Sequence, residues 1–351
     1  HFGSSHPGSS RFRTWIGRQP YRTASAPRRQ MAVSRWRRQR VPACALVAAA
    51  SSIGPASGLR SVSLESLVTR NLTALALEYR EQYAAAKPFP HIVLDGIMDE
   101  AFLRQVSQEV PERGVRLNGC FPWASRCSPL GTLQLNAESE DQVSWEDGLD
   151  VFLDPRHERG KNGNQNIERM GANVRRADAL LQSKTWTDFL SMLTGIRDLH
   201  ADPFHNGAGI HATSQGGFLH VHADFNRHPS TKERRRVNMF FFLNEDWREE
   251  YGGHLELWDR GVTRCEQRIL PIFNRLVIFS STDFSYHGHP HPLMAPPNRS
   301  RRSLAQYYYT TEHPAQDCMN LDCHKQHSTL WQVPHCDCPV AMNRTACQVD
   351  L

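Results

Sequence analysis

Acidic residues and lysine are absent from the first sixty positions, a stretch that nevertheless carries 11 arginines. That absence divides the charge of the chain. Only 30 of the 41 basic side chains remain for residues 61–351, against all 36 acidic ones, so the formal +5 separates into a basic leader and a body at −6. A body of that sign gives no support to nucleic-acid binding. Nowhere does an apolar run reach the roughly 18–20 residues that cross a bilayer, so no transmembrane segment is expected. There is no internal repeat, which excludes a solenoid. The cysteine-rich end is also without paired Cys-x2-Cys knuckles. Cys318, Cys323, Cys336, Cys338 and Cys347 lie among His324, His327 and His335, but not at the spacing of a tetrahedral zinc site. Disulfides in an oxidising compartment fit this segment better than zinc, and Cys120 with Cys127 can close a loop in the same way.

Met31 opens a positively charged stretch through Arg40, followed by the short apolar run from Val41 to Ala50 and then small residues. This is the layout of a secretory signal, and the wealth of Arg, Ser and Ala fits an organelle transit peptide as well. A disordered basic tail is the plainer alternative. The secretory pathway or an organelle lumen is therefore expected, with the cytoplasm as the alternative. Asn71, Asn298 and Asn343 stand in glycosylation sequons, of which Asn298 is too near Arg301 to be expected in use.

Past the leader, Leu64, Leu67, Leu72, Leu75, Leu77 and Tyr79 recur at near-helical spacing and predict a helix over 64–85, ended by Pro88 and Pro90. A strand over 91–94 and a helix near 99–110 follow. Residues 111–175 are rich in Gly, Asn and Asp and read as loops at a site mouth. A further helix is expected over 175–193, broken at Gly195. From Gly207 to Thr310 short strand-like runs alternate with turns, as in a β-sandwich or jelly roll.

The chemistry concentrates in that last region. Gly216 and Gly217 lead into an alternating segment ending His220-Val221-His222-Ala223-Asp224. Residues two apart on a strand share a face, so His222 and Asp224 point together. His287 follows, then Arg301-Arg302-Ser303. Two imidazoles and one carboxylate can hold Fe(II) on one face and leave the opposite positions open for O2 and a co-substrate. A guanidinium beyond the second histidine can grip the far carboxylate of that co-substrate. His220 shares the alternation and competes with His222, but the pair His220–His222 lacks a carboxylate. His289 and His291 similarly crowd His287.

Several blocks in fixed order carry a resemblance. They are Lys87 to Asp95, Gly216 to Asn226, Arg236 to Trp247, Tyr251 to Trp258, Asn274 to Phe279, Ser285 to Pro290, and Arg301 to Leu304. Through them the chain resembles the iron(II)/2-oxoglutarate-dependent oxygenases, prolyl 4-hydroxylase-like branch. The resemblance implies a mainly β fold with flanking helices, a double-stranded β-helix (jelly roll). It implies His222, Asp224 and His287 as iron ligands, and Arg301 helped by Ser303 as the anchor of 2-oxoglutarate. Asn238 is a further candidate at the co-substrate.

The same resemblance implies a dioxygenase using Fe(2+), 2-oxoglutarate and O2, with ascorbate as reductant. It would hydroxylate a C–H bond of a prolyl or other small-molecule or peptidyl substrate and release succinate and CO2. A non-catalytic interaction module on the same barrel is the competing possibility. In some relatives a tyrosine hydroxyl stands near 2-oxoglutarate, where this chain has Phe240-Phe241-Phe242, so the substrate does not transfer with the fold. Asp224 stands where halogenating relatives lack a carboxylate. The expected organisation is a leader over 1–60, an oxygenase domain over 61–311 (helical part 61–200, β-roll 201–311), and a Cys/His-rich extension over 312–351. Arg234-Arg235-Arg236 reads as a solvated charge run. Tyr307-Tyr308-Tyr309 reads as a strand alternating between core and surface, while Trp247 and Trp258 read as core.

Overall fold

The computed structural model describes residues 63–110, 157–312, 314–319 and 325–332. The leader, Cys120, Cys127, Asn343, most of the 111–175 loop and the cysteines beyond Cys318 lie outside the described residues. Among the described residues the strands form one antiparallel sheet of eleven, in the order β1-β8-β5-β10-β4-β9-β6-β7, with three short or edge strands joining β4 and β10. They are β1 (His91–Asp95), β2 (Glu158–Asn164), β3 (His200–Ala201), β4 (Gly209–Ala223), β5 (Arg234–Phe242), β6 (Leu255–Trp258), β7 (Cys265–Ile269), β8 (Arg275–Ser280), β9 (His287–His289), β10 (Ser300–Thr310) and β11 (Leu330–Trp331). The curled sheet is the jelly roll expected from the sequence.

Alternation along the strands decides which side chains face the roll. On β5, Val237, Met239 and Phe241 join the core under the helices, while Phe242 packs with Phe279 and Val277 of β8 on the other face. On β10, Leu304 and Tyr308 meet the helix-side core, whereas Ala305, Tyr307 and Tyr309 turn the other way. This period of two places Arg301 and Ser303 on the inner side with Ala305.

The helices cover the outer face. The helix expected over 64–85 is a 3-10 turn, Leu64–Leu67, and then α1 (Leu72–Ala85), because Asn71 interrupts with its side chain accepting from the Ala74 amide at 2.9 Å. α2 (Glu100–Glu109) starts at Asp99, which caps Phe102. The helix expected over 175–193 is two helices, α3 (Ala172–Gln182) and α4 (Lys184–Thr194). Ser183 separates them: its hydroxyl donates back to Leu180 O and accepts from the Trp186 amide, ending one helix and capping the next. α4 stops at Gly195, whose φ of 73° is the left-handed C-cap glycine favours.

Three expectations are corrected. Residues 158–164, read as loop, form β2 along β4. Tyr307, Tyr308 and Tyr309 are all buried rather than alternating with solvent. The arginine run 234–236 is buried and paired, not solvated. Arg234 meets Asp283 at 2.8 Å, Arg235 meets Asp224 at 3.1 Å and Arg236 meets Asp317 at 3.3 Å. The reason is position: β5 lies between β8 and β10 in mid-sheet, where a charge persists only beside a partner. Trp247 and Trp258 are core, as expected.

Candidate metal centre and co-substrate pocket

β4 runs beside β10 over Gly209–Ser214 and beside β9 over Leu219–His222. The change of neighbour occurs at the glycine pair. Gly216 has a φ of 71°, and a Cβ on Gly217 would sit 2.6 Å from the Thr213 side chain and 2.8 Å from two backbone carbonyls. Only glycine permits that crossing. Beyond it, His222 pairs across to His287, and the two rings stand 4.5 Å apart.

Donor atoms of His222, Asp224 and His287 all lie within 4.8 Å of one another. Asp224 Oδ1 is 3.6 Å from His222 Nε2, and Asp224 Oδ2 is 3.5 Å from His287 Nε2. Both imidazoles donate Nδ1–H to a backbone carbonyl, His222 to His220 O at 2.8 Å and His287 to Ser285 O at 2.9 Å. A carbonyl can only accept, so the tautomer is set and each Nε2 lone pair points at the shared space. Burial pushes His287 down to about 4, keeping it neutral at ordinary pH. Burial alone would raise the Asp224 carboxyl, but Arg235 and the two histidines hold it well below the usual carboxylate range. Two imidazole nitrogens and one carboxylate, buried together, suit a divalent ion with open positions.

His220 and His289, the competing candidates, stand elsewhere. His220 faces the His157 ring at 6.0 Å. Burial, followed by Arg301 and Lys161, lowers His289 well below its ordinary value. His291 is half exposed, 3.7 Å from Glu256.

Behind the triad lies a layer that sequence reasoning misses. Asn238 Nδ2 donates to Asp224 Oδ2 at 2.6 Å, and Arg235 Nε donates to Asn238 Oδ1 at 2.7 Å. Arg235 also lies over the Tyr307 ring, 3.4 Å from its centroid, and over Phe225. Asn238, expected at the co-substrate, has its amide hydrogen-bonded to Asp224 and Arg235. The available signal is an arginine and an asparagine three apart on a strand otherwise apolar, since buried polar groups there need each other.

Arg301 is 7% exposed, and its Nε donates to Gly253 O at 2.6 Å. Its guanidinium lies 4.8 Å from the Phe242 ring. Gly253 makes room: a Cβ there would meet Leu293 at 2.4 Å and Arg301 at 3.0 Å, and its φ is 71°. Among the described residues no carboxylate pairs with Arg301, and burial lowers it to about 9. Ser303 Oγ is buried with no hydrogen-bond partner. His211, pushed down to about 3 by burial and then Lys161, faces the same cations. An unpaired buried cation beside an orphaned hydroxyl fits the carboxylate end of an anionic co-substrate. Arg302, one residue on, points outward and donates to Ser107 O and Val110 O at the end of α2 and to Leu243 O just after β5.

Residues 208–309 match the 2OG-Fe(II) oxygenase superfamily. That segment holds all four candidate residues and the strands from β4 to β10, so the part of the chain that carries the site is the part that matches an oxygenase superfamily named for ferrous iron and 2-oxoglutarate. No curated protein matches the chain significantly.

Three solved structures give the range of similar folds. One is a prolyl hydroxylase from Trichoplax adhaerens in complex with a hypoxia inducible factor oxygen degradation domain peptide. It shows 16% identity and a TM-score of 0.41 over 68% of this chain and 90% of that one. A prolyl-4-hydroxylase from Pseudomonas putida shows 15% identity and 0.38 over 68% and 99%. HygX from Streptomyces hygroscopicus, with nickel, 2-oxoglutarate and hygromycin B bound, shows 11% and 0.40 over 73% and 98%. Among the described residues no helix is long and apolar enough to cross a membrane.

Proposed function

We propose that this chain is an Fe(II)- and 2-oxoglutarate-dependent hydroxylase in which His222, Asp224 and His287 hold the metal and Arg301 with Ser303 holds the co-substrate. The observation that carries the reading is the juxtaposition of a convergent His-Asp-His donor set and a buried guanidinium that no carboxylate meets among the described residues. Bound iron supplies O2 activation coupled to decarboxylation of 2-oxoglutarate to succinate and CO2. The protein's own residues do the rest. Arg301 binds and orients the far carboxylate through charged hydrogen bonds. Carbonyls of His220 and Ser285 orient the two imidazoles. Arg235 and Asn238 hold Asp224 through Oδ2 and so fix the orientation of its carboxylate. The aromatic surround of Phe240, Phe242 and Phe279 keeps bulk water away and so strengthens each of these contacts.

A prolyl residue, or another small or peptidyl group presenting an aliphatic C–H, is the proposed substrate class, and ascorbate the proposed reductant. Disulfide bonding of Cys318 and of Cys265 supports an oxidising compartment such as the secretory pathway. It also favours disulfides over zinc for the Cys/His-rich extension over 312–351, whose described part packs on the roll through Asp317 and β11. The test is succinate release with Fe(II), 2-oxoglutarate and ascorbate across a library of prolyl peptides, amino acids and small metabolites, followed by mass detection of one added oxygen. Substrate-dependent succinate lost in His222→Ala supports the reading. A purified protein that binds no Fe(II) and releases no succinate with any member leaves the interaction module in its place.

A further inference from the structure

The C-terminal extension returns to the metal-bearing strand. β11 pairs antiparallel with the end of β4, setting Trp331 opposite His222 and Leu330 opposite Ala223. Gln332 N donates to Val221 O at 2.8 Å. The indole ring lies 4.9 Å from the His222 ring, and its plane stacks on His157 at 4.8 Å with an interplanar angle of 6°. His157 is itself tied to β4, since its carbonyl accepts from the His220 amide at 2.8 Å.

Several contacts fasten the strap before it reaches Trp331. Asn226 Nδ2 donates to Lys325 O, and the His327 amide donates to Asn226 Oδ1. His327 Nε2 stands 3.0 Å from Asp283 Oδ1, the carboxylate that also holds Arg234.

On its other side His222 faces β9. Without β11, this end of β4 would be a sheet edge with open backbone groups and one flank of the imidazole turned to water. With β11, the ring is packed from both sides, and its Nδ1–H is held by His220 O. A ligand whose orientation is fixed before the ion arrives binds it more tightly.

We propose that Trp331 is a positioning residue of the metal centre, delivered by the C-terminal extension to hold the His222 imidazole in its metal-facing orientation. The proposal rests on the metal-centre reading above, with His222 a ligand. It makes the Cys/His-rich end a working part of the site rather than an appendage.

The test uses the full chain and Co(II), a divalent probe that binds imidazole and carboxylate donors. Binding is followed by calorimetry and by tryptophan emission. Wild-type emission should fall as Co(II) fills the site. Trp331→Phe should lose most of that quenching while keeping wild-type affinity, because a ring remains against His222. Trp331→Ala should bind Co(II) roughly tenfold or more weakly, the size of other effects that act through a ligand. Gln332→Pro, which removes the amide donor to Val221 and spares the indole, should weaken binding in the same direction and decides the matter if Trp331→Ala does not fold.

His222→Ala separates the two layers of inference. Should it bind Co(II) as well as wild type, the metal centre itself is misassigned. Should it lose Co(II) while Trp331→Ala and Gln332→Pro keep wild-type affinity, or while Trp331→Phe quenches like wild type, the strap has no part in the site.

Discussion

Two buried arginines flank the candidate centre, and they are solvated by the protein in opposite ways. Arg235, on the far side of the triad, has an anionic partner: it meets Asp224 at 3.1 Å, the Asn238 carbonyl at 2.7 Å and the face of Tyr307. Arg301, on the near side, has one backbone carbonyl and an aromatic face, and no carboxylate among the described residues. A charge taken out of water costs several kcal/mol unless it is paired. The chain meets that cost at Arg235 with its own aspartate. At Arg301 it leaves the cost outstanding, to be met by something that enters. The first arginine is part of the scaffold; the second is a receptor.

Removing each charge sharpens the contrast most. Arg235→Met strips the counter-ion from a buried carboxylate, and the metal-free protein should lose about 3–5 kcal/mol of unfolding free energy, measured by denaturant titration. Its Co(II) affinity should fall too, because Asp224 loses what holds it ionised. Arg301→Met should do the reverse: unfolding free energy unchanged or raised, since an uncompensated charge disappears, while the 2-oxoglutarate requirement rises roughly 10- to 100-fold through the loss of charged hydrogen bonds. Steady-state succinate release against 2-oxoglutarate concentration reads this, with the rate at saturation far less affected. If both variants destabilise alike, Arg301 is structural and the contrast collapses.

Acid should act more gently. His287 and His211, driven by burial to about 4 and about 3 from an ordinary 6.5, do not take up protons in the fold where the unfolded chain does. Metal-free stability should therefore be full above pH 6.5 and decline as pH falls from there to about 4. Asp224, also lowered, adds its loss only below its ordinary 3.8. A denaturation midpoint flat between pH 7 and 4 would contradict this. The smallest effect belongs to the surface: Lys184 meets Asp188 at 2.6 Å with both side chains largely exposed, and Lys184→Ala should leave the midpoint unchanged.

How far the sequence is legible follows the same division. Period-two alternation through Gly216–Asp224 is enough to put His222 and Asp224 on one face, and the order of the motifs predicts the roll. Helix boundaries are readable only approximately, because Asn71 and Ser183 compete for backbone hydrogen bonds that periodicity does not register. The arginine run misleads because charge runs usually face water, and nothing local says that β5 is flanked on both sides. Asn238 is only half legible for a related reason: its inward-facing amide can be read from the strand period, but its bonds to Arg235 and Asp224 depend on tertiary reach.

The amino-acid order by itself determined the donor types, their shared strand face, and the presence of a guanidinium downstream, since these follow from side-chain chemistry and a two-residue period. Only the tertiary structure decided that His287 crosses to His222, that Arg301 is left unpaired while Arg235 is not, and that Trp331 comes back over the ligand strand. Those are facts about which distant segments share a low-dielectric interior, where a few ångströms turn an arginine from a structural counter-ion into a binding group.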